Sequence, residues 1–351
     1  MQLMQQLCTH KIIQAPMAGG ATTPELVAAV ANAGALGSLA AALLSPLEII
    51  EKAEHIRRLT DKPFAINLFV QSQPRMDLDV LEKAKELLQA VCAELHINHL
   101  PTPTRWCEDF EAQLDALITA RPAVASFTFD VLHAAQIQRL HDAGIAVVGT
   151  ATNLTEAQVW QALGADAVCL QGREAGGHRG TFIGSQDAAQ LTSLELLASC
   201  REAIQIPKIV AGGIMDGNDI ARFRQAGADW VQIGTGFLCA EESGIAASYK
   251  QRLLAAQTDT TRQTRSFSGR LARGLDNRYM QMMAEVADQV PAYPVQNALT
   301  SFIRAEASKQ NNTEFMSLWA GQGVAKIEAL PAAALIQKWL QQCAQAGFVS
   351  G

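Results

Sequence analysis

Short apolar runs alternate with amphipathic stretches through the first two-thirds of the chain. The runs cover residues 12–15, 36–39, 64–69, 124–129, 145–149, 167–170, 208–211 and 230–233. Each is too short for a helix and nearly continuous in apolar residues, the pattern of a strand covered on both faces. Between them, apolar positions recur at three- and four-residue spacing over 24–33, 46–59, 134–143, 155–163, 193–203 and 218–226, which predicts helices. Gly34, Gly144, Gly164 and Gly227 stand where those helices should stop. About eight strand–helix units in some 240 residues match a (β/α)8 TIM barrel, an α/β fold. A doubly wound open sheet would want G-x-G-x-x-G after the first strand, where the chain instead reads Pro16-Met17-Ala18-Gly19-Gly20-Ala21.

Two segments lie outside this rhythm. An amphipathic helix is predicted over 77–95, with Leu78, Leu81, Leu88, Val91 and Leu95 on one face, inside a long insertion after the third run. Beyond the eighth run, residues 241–310 hold helical patterns at 246–256, 278–286 and 297–308 and no strand-like run. The division this suggests is a barrel over 1–240, a helical lid domain over 241–318, and a tail over 319–351 that packs back on the barrel. In that tail, Leu335, Ile336, Trp339, Leu340 and Cys343 share one side of a helix.

Charge narrows the partners. The chain carries 28 Lys+Arg against 34 Asp+Glu, a formal charge of −6, with no basic stripe that could hold a phosphate backbone. Nucleic acid is therefore not expected as a partner, and small molecules are. Residues 26–47 are uncharged, but Asn32, Gly34, Gly37 and Pro46 break them, so no membrane helix is expected. Seven scattered cysteines without a C-x-x-C pair indicate neither a disulfide framework nor a zinc site, and no metal is expected. The first eleven residues lack the pattern of a secretory signal, which points to the cytoplasm.

In a barrel of this kind the chemistry sits at the carboxyl ends of the strands. There the chain places Met17, Asn67, Thr128, Gln171, Gly212-Gly213 and Gln232-Ile233-Gly234-Thr235. The glycines after the seventh and eighth strands offer loops where backbone N–H groups can converge on a phosphate. The amides of Asn67, Gln171 and Gln232 suit the edge of a heteroaromatic ring. These features fit the phosphate of a flavin mononucleotide (FMN) or of a phosphosugar. Past the sixth strand, Glu174-Ala175-Gly176-Gly177-His178-Arg179-Gly180 presents one imidazole on a glycine-dense loop, which makes His178 the leading acid–base candidate. Arg173, Glu174 and Arg179 are candidates to steer an anion, or simply solvated charges. Residues 266–275, which mix small and basic types, either close over a phosphate or make a turn. Trp160, Trp319 and Trp339 read as packing residues.

These motifs, with Ala211-Gly212-Gly213-Ile214-Met215-Asp216-Gly217, Ser268-Gly269-Arg270 and Trp319-Ala320-Gly321-Gln322-Gly323, resemble the class I nitronate monooxygenases, formerly 2-nitropropane dioxygenases, over nearly the whole chain. The resemblance implies an FMN flavoprotein that oxidises alkyl nitronates with O2 and needs no nicotinamide. It implies FMN on Asn67, Gln171, Gly176, Gly213 and residues 232–235. His178 would act as catalytic base, or as a protonated electrostatic partner of an anionic nitronate. Thr128 stands where the family has a second His. Tyr293 matches a substrate-site tyrosine, whereas Asn297 and Ser301 replace a further Tyr and a Lys, so a basic group toward an acidic substrate is missing. The Gly-Gly-His loop is also similar to that of FMN-dependent enoyl-acyl-carrier-protein reductases. An NAD(P)H-dependent FMN reductase of that or the quinone reductase kind is therefore the alternative, followed by a non-redox barrel that binds a phosphorylated metabolite.

Overall fold

The computed structural model describes residues 7–75 and 77–347. All eight apolar runs form strands: β1 (Ile12–Gln14), β2 (Gly37–Ala40), β3 (Phe64–Phe69), β4 (Val124–Thr128), β5 (Ala146–Ala151), β6 (Ala167–Gln171), then β8 (Lys208–Ala211) and β9 (Trp230–Ile233), with a short β7 (Gly177–His178) between. The eight long ones pair in parallel in the order β1-β9-β8-β6-β5-β4-β3-β2. Leu36 N–H donates to Ile12 O and Gln14 N–H to Leu36 O, both at 2.9 Å, and these bonds join the two ends of the sheet. The result is the TIM barrel expected from the apolar runs.

The two-residue period of a strand sorts side chains between two layers. Ile13, Ala65, Val124, Val148, Cys169, Ile209 and Trp230 point inward and form the barrel interior. Their neighbours, such as Ile66, Val147, Val168, Val210 and Val231, pack outward against the helices. Those helices start where the sequence supplies caps. Ser45 and Glu48 form a reciprocal capping box on helix Pro46–Leu59, as Thr192 and Glu195 do on Ser193–Cys200. Helix Ala332–Gln345 buries Leu335, Ile336, Trp339 and Cys343 in the same outer layer.

A second core lies above the barrel mouth and joins segments distant in sequence. Leu81, Leu88, Val91 and Leu95 from helices Leu78–Leu87 and Gln89–Glu94 pack with Leu253, Phe267, Tyr279, Leu299, Ile303 and Phe315. The insertion after β3 is therefore part of this cap. Leu78, expected on its apolar face, is instead 75% exposed, because it begins the helix beyond the cap core. The cap is also not purely helical, contrary to the sequence expectation. Strands β10 (Thr261–Thr264) and β11 (Ala272–Leu275) form an antiparallel ribbon, and β11 pairs with β7 from the barrel loop. These strands carry Thr, Arg and Gly in a polar alternation, so no apolar run marked them. Among the described residues no helix is long and apolar enough to cross a membrane, and no group of three or more His, Cys, Asp or Glu could hold a metal ion.

Candidate active site

A cavity of about 600 Å³ opens between the barrel mouth and the cap, within the range of roughly 300–1,000 Å³ that holds small ligands and cofactors. The strand pleat explains its polar floor. Asn67 follows Ala65 by two residues, Gln171 follows Cys169 and Gln232 follows Trp230, so each faces inward where the strand ends. Met17, Asn67, Thr128, Gln171, Gly176, Gly212, Gly213, Gln232, Gly234 and Thr235 all line the cavity. Ile233 does not. It shares the outward parity of Val231, and its side chain is buried in the barrel–helix layer.

The floor amides are not equivalent. Asn67 donates from Nδ2 to Ser126 O and Oγ, which leaves Oδ1 without a protein partner among the described residues. Among the described residues, the Gln232 side chain makes only a 3.4 Å contact from Nε2 to Cys169 Sγ. Gln171 is already engaged, donating to His178 O at 3.0 Å while Oε1 accepts from Gly180 N–H at 2.8 Å. Its work is to hold the His178 loop. Arg179, fully buried, clamps the same loop through Gln171 O, Gly172 O and Ala189 O, so it does not face an anion.

At the other end, Gly212 (φ +115°) and Gly213 (φ +74°) turn the chain in the left-handed region that glycine enters without strain. Ser193 Oγ donates to Gly212 O at 2.9 Å, and the Glu174 carboxylate accepts from Ser193 N–H at 3.0 Å. Glu174, proposed from the sequence as a steering charge, therefore ties the loop after β6 to the loop after β8. Gly176 packs so closely that a Cβ would lie 2.6 Å from Gly321 N, and Gly321 N–H in turn donates to Thr235 Oγ1 at 2.9 Å. Glycine loops after β6 and β8, with the Trp319–Gly323 segment against them, thus make a wall of exposed backbone.

His178 hangs from β7, whose ladder partner is the cap strand β11. Aromatic rings surround it: Trp319 at 5.5 Å, Tyr293 and Phe129 at 5.7 Å, and Phe69 at 6.5 Å between centroids. Phe129, at φ +87°, lies under the Arg270 guanidinium at 3.9 Å. Burial among these rings, reinforced by the positive charges of Arg270 and Arg304, pulls His178 down to about 3. That direction favours the neutral imidazole, the state a base requires, over the protonated partner. Its Nε2 lies 2.8 Å from Ser268 Oγ. Residues 266–275 do more than turn, since they contact His178 and supply β11.

The wall combines residues expected from the sequence, Thr128 and Tyr293, with Trp319 and Arg304, which the sequence did not mark as site residues. Trp319 packs against the cap core, as expected, and also lines the cavity. Thr128 shares a 3.2 Å hydroxyl contact with Thr150. Tyr293 lines the cavity, as does Asn297 in the first turn of helix Val295–Lys309. The missing basic group is supplied by Arg304, one turn beyond Ser301. Arg304 Nη2 donates to Asn297 O at 2.7 Å and Oδ1 at 3.0 Å, and no carboxylate pairs with it among the described residues. Burial lowers its pKa, yet a guanidinium keeps its charge in proteins. Helical spacing from Asn297 (i, i+7) would have placed it on this face.

An α/β barrel with an enclosed imidazole, a glycine-walled cavity and a guanidinium that no carboxylate pairs among the described residues has the form of a small-molecule enzyme site. The nitronate monooxygenase family model matches residues 1–342, and the chain belongs to that family, which makes it an oxidoreductase. It is 38% identical over 316 residues to a probable nitronate monooxygenase of Bacillus subtilis, covering 90% of each chain. It is 37% identical over 337 residues to one of Staphylococcus saprophyticus, covering 95% of this chain and 94% of the relative. Its structure is similar to nitroalkane oxidase from Streptomyces ansochromogenes, with a TM-score of 0.92, 39% identity, and 98% and 99% of the two chains covered. FabK from Thermotoga maritima is also similar, with a TM-score of 0.76 at 26% identity, covering 99% of this chain and 96% of that one.

Proposed function

We propose that this protein is an FMN-dependent enzyme that oxidises alkyl nitronates, and the nitroalkanes that ionise to them, with O2 to a carbonyl compound and nitrite. The observation that carries this reading is the pairing of a neutral, enclosed His178 with an unpaired Arg304 on one cavity. A base that is uncharged at neutral pH can remove the α-proton of a nitroalkane. A cation on the same cavity favours the nitronate anion that results.

The residues fit a flavin. The backbone wall at Gly212, Gly213 and Gly234-Thr235 suits a terminal phosphate, and Asn67 Oδ1 and the Gln232 amide are unsaturated toward the cavity. When bound, the flavin supplies the two-electron redox chemistry that no side chain here can. Tyr293, Phe69, Phe129 and Trp319 exclude water around the reacting carbon. In this reading residues 241–318, joined by the insertion helices within 78–95, serve as the substrate-facing lid on the barrel of residues 1–240, with 319–351 returning to it. Cytoplasmic location belongs to the same reading, supported by seven cysteines that are all free thiols.

Anaerobic absorption spectroscopy of the purified protein tests this. A flavin spectrum bleached by an alkyl nitronate and untouched by NADH is the expected result. Bleaching by NADH alone would shift the assignment to the reductase reading, which the likeness to FabK favours. A protein that holds no flavin, even after FMN is added, would overturn both.

A further inference from the structure

Ser268 Oγ has three neighbours, and one placement of the protons satisfies all of them. The Arg270 N–H donates to it at 3.3 Å, because an amide has no other role to play. The Arg270 carbonyl, 3.0 Å away, can only accept, and among the described residues no other donor reaches it, so the hydroxyl proton of Ser268 is what satisfies it. The third neighbour is His178 Nε2 at 2.8 Å. With its proton committed to Arg270 O, Ser268 can only accept from the imidazole. The ring nitrogen facing Ser268 must then carry the hydrogen, and a neutral ring has only one.

We propose that Ser268 is a positioning residue that fixes His178 as the Nε2–H tautomer, so that Nδ1 is the atom that takes the substrate proton. This rests on the proposed reaction only for its kinetic consequence. No hydrogen bond from the protein engages Nδ1 among the described residues, and His178 lines the cavity. In the step, the α-C–H bond of the nitroalkane breaks. Its electron pair stays with the substrate as the nitronate, and the proton forms the Nδ1–H bond. Nε2 keeps its own proton on Ser268 throughout. The arrangement is built by the cap: Ser268 and Arg270 precede β11, and β11 holds His178 through β7. A serine hydroxyl that is itself saturated therefore acts as a fixed acceptor for the base.

The first test is 15N NMR of histidine-labelled protein at neutral pH, with the His178 ring assigned by comparison with His178→Gln. The expected spectrum shows a protonated, pyrrole-type Nε2 and a bare, pyridine-type Nδ1. A proton on Nδ1 overturns the proposal, whatever the protein oxidises. The second test compares nitroethane with preformed ethyl nitronate as substrates. Ser268→Ala should lower the nitroethane-to-nitronate ratio of kcat by roughly tenfold or more, since only the neutral substrate needs the base. Ser268→Thr, which keeps the hydroxyl, should restore the ratio. An equal loss on both substrates would overturn the positioning role. Turnover of neither substrate by the wild-type protein would instead sink the oxidation reading, with the NMR result still deciding the tautomer.

Discussion

The Arg304 guanidinium grips Asn297 twice, through the backbone carbonyl at 2.7 Å and through Oδ1 at 3.0 Å. Both residues line the cavity, so Asn297 orients a cation there. Arg304→Met should therefore weaken the anionic substrate more than the neutral one. Hydrogen bonds to charged groups are worth about 1.5–3 kcal/mol, so KM for a nitronate should rise roughly 10- to 100-fold. Steady-state kinetics on paired nitronate and nitroalkane substrates would check this, and equal changes in both KM values would reduce Arg304 to a cap-stabilising residue.

Tyr293 stands with its ring 5.7 Å from that of His178 and 5.1 Å from that of Phe129. Its hydroxyl has no protein partner among the described residues, while the ring is one wall of the cavity. Burial raises the phenol pKa, so the group stays a neutral donor. Tyr293→Phe should keep the wall and remove the donor, raising KM several-fold, on the order of 1 kcal/mol, with flavin content unchanged. Unaltered KM would exclude the hydroxyl from substrate binding.

His178 also links the site to stability. Its pKa falls from 6.5 in the unfolded chain to about 3 in the folded one. Between those values the unfolded state binds the proton and the native state does not, so stability is full above pH 6.5 and declines as pH falls toward 3. Urea unfolding at pH 7 and pH 5 should show a larger loss for the wild type than for His178→Gln. Identical losses would mean that the imidazole is not held neutral by the fold.

Gly176 is packed against the backbone of Ala320 and Gly321, where a methyl group would come within 2.6 Å. Neither backbone can swing aside as a flexible side chain could. Gly176→Ala should push the Trp319–Gly323 segment from the Gly-Gly-His loop and cost about 1–3 kcal/mol. Bound flavin and thermal midpoint should fall together. A variant with normal flavin content and an unchanged midpoint would show that the wall tolerates movement.

Most of the barrel was legible in the chain itself. Apolar runs over 64–69 or 167–170 can only be satisfied by burial on both faces, and Gly34, Gly144 and Gly227 mark the helix ends because they adopt positive φ there. The loop sequence around His178 and the glycines after β8 and β9 was equally direct, since local chemistry determines it. Even the exclusion of Ile233 follows from strand parity. The cap was different. Leu81 and Leu88 display an apolar face but do not say which surface will cover it, and that surface comes from Leu253 to Phe315, far along the chain. The polar strands β10 and β11 exist because β7 and the barrel loop present an edge to pair with. A neutral His178 and an unpaired Arg304 are likewise products of enclosure. Their charge states depend on which rings and guanidinium groups the folded chain gathers around one cavity, and that gathering is decided in three dimensions.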